Sequence, residues 1–172
     1  MSTLLRDATL VVAVSIGGVY YLSHRTAELP EPVAAEAVQA PQPAPRAPVS
    51  TGNTITLHKQ RGQFWTPGTL NGGHTSFLVD TGASLVALTP DAARAAGLDP
   101  ANLALDIEVS TANGVTLAAR VTLETLTVGP IVARDVEALV IPEGLSHNLL
   151  GMSFLSRLQG YSATPDTLTL TL

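Results

Sequence analysis

The chain contains no cysteine, and that absence removes disulfide bridges, thiolate nucleophiles and sulfur-ligated zinc together. Charge is scarce as well, at 13% of residues, and aromatics make up only 4%. From Thr51 onward six Lys or Arg stand against ten Asp or Glu, which argues against a nucleic-acid surface. The histidines His24, His58, His74 and His147 show no metal-ligand spacing, so no metal site is expected, and no organic cofactor is expected either. No glycine loop of the phosphate-cradling kind occurs, and no nucleophile elbow surrounds Ser84 or Ser153. What the chain has is apolar: 45% of its 172 residues are hydrophobic, enough for one buried core. Such a fold must stand on packing alone.

Three segments divide the chain. Residues 1–25 hold an uncharged stretch, Ala8 to Ser23, flanked by Arg6 and Arg25 and ending in Tyr20 and Tyr21, as interfacial aromatics do. As a helix it covers roughly 24 Å, short for a hydrocarbon core but workable if the arginines snorkel. The expectation is a single membrane anchor through residues 8–23; a cleaved signal peptide competes, with Ala-x-Ala patterns only further on, around Ala35 to Ala40. Residues 26–50 carry six prolines and almost no large apolar side chains, the composition of a disordered, extended spacer. A proline-rich docking motif is the alternative there. Residues 51–172 form the folded domain.

That domain reads as all-β. Short runs of Val, Leu, Ile and Thr alternate with turn signals at Asn71-Gly72-Gly73, Asn113-Gly114, Gly129-Pro130, Pro142-Glu143-Gly144 and Thr164-Pro165-Asp166. Leu103, Leu105, Ile107 and Val109 share one face, and Val115, Leu117, Ala119, Val121 and Leu123 continue the period after Asn113-Gly114, which predicts a hairpin. The phase then slips to Leu126 and Val128, predicting a bulge or corner near Glu124 and Thr125. Two short helices interrupt the strands. One runs over 90–96, with Thr89 as N-cap, Pro90 at the first position and Gly97 as the stop; the other runs over about 152–158.

Chemistry concentrates in Phe77-Leu78-Val79-Asp80-Thr81-Gly82-Ala83-Ser84, where an apolar strand delivers a carboxylate into a tight glycine turn. Alone, that triplet also fits an ordinary turn in which Asp80 bonds its own backbone. With two further segments, Ser110 to Gly114 and Asn148 to Leu155, it resembles the bacterial, membrane-anchored branch of the retropepsin-like aspartic proteases. One is Ser110-Thr111-Ala112-Asn113-Gly114, in the place of the family's flap; the other is Asn148-Leu149-Leu150-Gly151-Met152-Ser153-Phe154-Leu155, in the place of its paired-hydrophobic-then-glycine motif.

The resemblance implies an acid-protease barrel with one or two short helices. It implies Asp80 as catalytic acid and base, supported by Thr81, Gly82, Ala83 and Ser84; Thr111, Ala112, Asn113 and Gly114 as flap; and Leu149, Leu150 and Gly151 beneath the catalytic loop. A plain surface hairpin and a simple turn cap are the alternatives for the flap and for Ser84. Peptide hydrolysis by this route needs two carboxylates sharing a proton, yet no second Asp-Thr/Ser-Gly occurs. A homodimer supplies the other. The expected activity is therefore endopeptidase cleavage of protein or peptide substrates. A fold-retaining but inactive envelope adaptor is the alternative. Basic residues are balanced across the anchor, so charge leaves orientation open; family likeness points to the inner membrane with the domain in the periplasm.

Overall fold

The computed structural model describes residues 10–11, 49–51, 53–111 and 114–172, the first two stretches by backbone alone. The anchor and linker expectations fall outside the described residues, apart from two strand pieces, β1 (Leu10–Val11) and β2 (Val49–Thr51). β1 pairs parallel to the strand at Val109 and Ser110, and β2 pairs with the strand that follows it. Among the described residues no helix is long and apolar enough to cross a membrane.

The domain is mostly strand, as its alternating pattern requires. β3 (Thr54–Gln60), β4 (Gln63–Leu70) and β5 (Gly73–Val79) form successive hairpins, the second turning at Asn71 (φ 47) and Gly72 (φ 90), a left-handed pair suited to a tight type I′ turn. β6 (Val86–Leu88) leads to α1 (Pro90–Ala95), capped as expected by Thr89, whose hydroxyl accepts from the Ala92 amide at 3.3 Å. β7 (Ile107–Thr111), β8 (Gly114–Val128) and β9 (Ile131–Val140) make a meander. β10 (Asn148–Leu150), α2 (Met152–Leu155), β11 (Gly160–Ala163) and β12 (Thr167–Thr171) complete the order.

Pairing of β4 with β8 closes a ring, β4-β5-β10-β6-β9-β8. Closure leaves no free edge on those strands. β3, β12 and β11 continue as a terminal sheet from β4. Within the ring β10 lies between β5, to which it is parallel, and β6, to which it is antiparallel. Successive residues therefore enter different apolar clusters. Phe77, Val86, Leu88, Val140 and Leu150 join the larger cluster, with Ala92 and Ala93 of α1 and Phe154 and Leu155 of α2. Leu78, Ala87, Leu139 and Leu149 join the smaller one. Full burial of a Leu or Phe side chain is worth about 1.5–3 kcal/mol, which is what holds a cysteine-free chain together.

The slip at Glu124 is real and is shared by two strands. The β8–β9 ladder passes from Leu123↔Val136 to Thr125↔Arg134, omitting Glu124 and Asp135, and Asp135 adopts φ 51. Both strands exchange faces together, so the register survives. Asn71 fills the gap on one side, donating its amide to Thr125 O at 2.9 Å and accepting from Thr125 N at 3.1 Å. On the other, the Arg157 guanidinium donates to Arg134 O and, at 2.7 Å, to Asp135 O.

Some expectations need correction. β7 starts at Ile107, because Pro100 opens a 3-10 turn (Pro100–Asn102) capped by Asp99; Leu103 then packs singly on the larger cluster while Leu105 is exposed. The shared apolar face of β8 is buried only from Ala119 onward; Val115 (66%) and Leu117 (50%) are open on the projecting hairpin. α2 stops at Leu155, where the backbone bonds tighten to the third carbonyl back, Arg157 N donating to Phe154 O and Leu158 N to Leu155 O.

Candidate active site

β5 ends where the sequence runs out of apolar residues, and Asp80 is the first residue beyond it. Three bonds to backbone groups fix this aspartate, two from its own backbone and one from its side chain. Its amide donates to Leu150 O at 3.2 Å, its carbonyl accepts from Ala83 N at 3.3 Å, and its carboxylate Oδ1 accepts from Gly82 N at 2.8 Å. The last is an Asx-type turn, the ordinary-turn geometry that the triplet alone allows. Thr81, Gly82 and Ser84 lie at the surface, whereas Ala83 and Leu85 are buried in the smaller cluster.

Because β10 is inserted between β5 and β6, the loop joining those two strands must cross the end of β10. Gly151 stands at that crossing. A Cβ there would collide with Leu85 O and come within 2.8 Å of Ala83 O, so no other residue lets the two segments approach so closely. Just beyond, Met152 N donates to Ala83 O at 2.8 Å and Ser153 N donates to Ser84 O at 3.1 Å. Ser153 Oγ accepts from Val86 N at 2.9 Å and donates to Glu137 O at 2.7 Å. Leu149 and Leu150 point to opposite clusters, which explains why a pair of leucines is required.

The hairpin of β7 and β8 rests on the same smaller cluster through Val109 and Ala118, with Ile107 packed beside them. The Asp-Thr-Gly loop, the β7–β8 hairpin and the Leu-Leu-Gly segment, far apart in sequence, thus meet on one group of side chains. At the hairpin end Thr111 Oγ1 donates to Gly114 O at 2.8 Å. Ala112 and Asn113 lie outside the described residues. Trp65 is half-buried against the cluster, with His147 edge-on at 4.9 Å between ring centroids. Sequence reasoning assigned no role to Asn148 and treated Ser153 only as a rejected nucleophile. A polar residue heading an apolar strand was the available signal for Asn148.

The family model described as "gag-polyprotein putative aspartyl protease" matches residues 66–157. A crystal structure of a retropepsin-like aspartic protease from Rickettsia conorii superposes with TM-score 0.60 at 32% identity, covering 68% of this chain and 89% of that one. The chain belongs to the retropepsin-like aspartic protease family. Two curated relatives match this retropepsin-like chain. The uncharacterized protein in the cobV 5′ region of Sinorhizobium sp. is 48% identical over 118 residues, and the uncharacterized protein RP867 of Rickettsia prowazekii is 34% identical over 119. These alignments cover 67% and 69% of the chain and 51% of each relative, so the chain spans about half their length. EIAV protease, solved in complex with the inhibitor HBY-793, shares the fold at TM-score 0.51 and 16% identity, over 62% of this chain and 97% of that one.

Proposed function

We propose that this retropepsin-like chain is an aspartic endopeptidase that works as a homodimer, with the Asp80 carboxylates of two copies facing each other across the two-fold axis. The observation that carries this is the single Asp-Thr-Gly loop, held by backbone bonds at Leu150 O and Gly82 N, with Thr81 and Gly82 left at the surface. A surface so placed suits an isologous contact, in which each copy supplies half of the site.

Chemistry then follows from a shared proton. One carboxylate takes a proton from a water held between the pair while the other, protonated, gives its proton to the substrate carbonyl oxygen; the hydroxide equivalent adds to the carbonyl carbon. Collapse of the tetrahedral species breaks the C–N bond and returns a proton to the leaving amine. No covalent enzyme intermediate is formed. Thr81 buttresses the partner's loop, Gly82 admits the substrate backbone, and the hairpin tip at Thr111 to Gly114 covers bound peptide and excludes water. Residues 8–23 anchor the chain in the inner membrane once Leu10 and Val11 leave their pairing with β7, residues 26–50 space it away, and residues 51–172 act in the periplasm.

Incubating the full chain with unfolded casein, with and without an active-site aspartic-protease inhibitor, while measuring its mass by sedimentation, tests the reading. Inhibitor-sensitive cleavage by a dimer is expected. Cleavage insensitive to both the inhibitor and the loss of Asp80 would sink it, and a folded dimer that cleaves nothing favours the adaptor alternative.

A further inference from the structure

Only Thr66 and Asn148 are buried polar residues among the described part of the chain, and the proposed reaction uses neither. Thr66 bonds locally, to Pro67 O. Asn148, 8% exposed, does something different. Its Oδ1 accepts from Thr89 N at 2.9 Å and Thr89 Oγ1 at 3.0 Å; its Nδ2 donates to Thr75 Oγ1 at 2.8 Å and Ser76 O at 3.1 Å. Both lone pairs and both protons of the carboxamide are used. The orientation is unambiguous, since Thr89 N must meet an oxygen and Ser76 O must meet an N–H.

These bonds join three elements at one point: β5 through Thr75 and Ser76, the end of β6 and cap of α1 through Thr89, and β10 itself. The next residues along β10 pair as Leu149↔Leu78 and Leu150↔Val79, and Leu150 O receives the Asp80 amide. Leucine packing is non-directional and tolerates a small slide of β10. A saturated, buried carboxamide does not, because displacement leaves buried polar groups unpaired. We infer that Asn148 is a positioning residue for Asp80, a pin that sets the height of β10 and through Leu150 O the height of the catalytic loop. This rests on the protease reading for the loop's role, though not for the pin itself.

The test compares full-length wild type with Asn148→Asp, which keeps the shape and the acceptors toward Thr89 but turns an oxygen on Ser76 O. Asn71→Ala serves as control, because Asn71 also bridges buried backbone but at the far turn. Hydrogen exchange of the Asp80 amide is read relative to β8 and β9 amides in the same sample, which separates local loosening from global destabilisation. Asn148→Asp should speed it about tenfold or more and Asn71→Ala leave it unchanged. In cleavage assays Asn148→Asp should lower kcat per folded molecule about tenfold with KM held, whereas loss of a merely stabilising residue lowers the folded fraction and leaves that value unchanged. If Asn148→Asp fails to fold, Thr75→Val, which removes one of the four bonds, should give a smaller change of the same kind. Unchanged Asp80 exchange in the folded variants overturns the pin whether or not cleavage is seen. Equal cleavage by wild type and Asp80→Asn overturns the protease reading alone.

Discussion

Asp80 owes its place to backbone groups, and this makes its chemistry separable from its structural part. An asparagine side chain retains the oxygen that accepts from Gly82 N at 2.8 Å but loses the ability to exchange a proton. Asp80→Asn should therefore lower cleavage by at least about a hundredfold, the low end for a general acid-base group, with melting temperature and near-ultraviolet dichroism unchanged. A variant still cleaving at the wild-type rate rules out Asp80. Gly151→Ala behaves in the opposite way. Its methyl group has nowhere to go between Ala83 O and Leu85 O, so the loop must move and stability should fall by about 1–3 kcal/mol, read from urea unfolding. Wild-type stability in that variant would mean that the crossing of β10 and the loop can open by the width of a methyl group. Of the site, the Asp-Thr-Gly loop and the Leu-Leu-Gly segment were legible because special backbone geometry demands special residues. Asn148 was not, because a polar residue before an apolar run reads equally as a turn.

Elements carry a different share of the information. Thr89-Pro90 and Gly97 announced α1, and the shift from odd to even apolar positions announced the break at Glu124, because both signals are local in sequence. The insertion of β10 between β5 and β6 was illegible: a period of two says which side of a strand is buried and nothing about which strand lies beside it. Nor did periodicity reveal that Val115 and Leu117 project beyond the cluster that buries Ala119. The break in β8 and β9 also needed a remote partner, Arg157, whose guanidinium covers the carbonyls of Arg134 and Asp135. Arg157→Ala should cost about 1 kcal/mol, the usual worth of such bonds at an accessible site, and should be read as a lower urea midpoint at constant slope. An unchanged midpoint would show that water serves those carbonyls equally well.

At the scale of the whole molecule, the described residues form one closed ring of strands with the Asp80 loop following β5, and the chain's scarce charge leaves little to steer a distant partner. What a second copy would meet is the exposed Thr81-Gly82 corner beside Asp80. If both copies must bring a carboxylate, activity depends on the composition of pairs and not on the amount of wild-type chain. Wild type and Asp80→Asn mixed in equal amounts and left to exchange subunits give about a quarter of dimers with two intact carboxylates, and so about half the activity of the same wild-type chains alone. A tenfold excess of Asp80→Asn should silence nearly all of it, since almost every wild-type copy is then paired with a dead one. Dilution of wild type should likewise lower specific activity as dimers dissociate. Activity strictly proportional to the wild-type chain in these mixtures, at every dilution, would mean that a single copy holds a complete site, and the two-carboxylate mechanism would have to be abandoned.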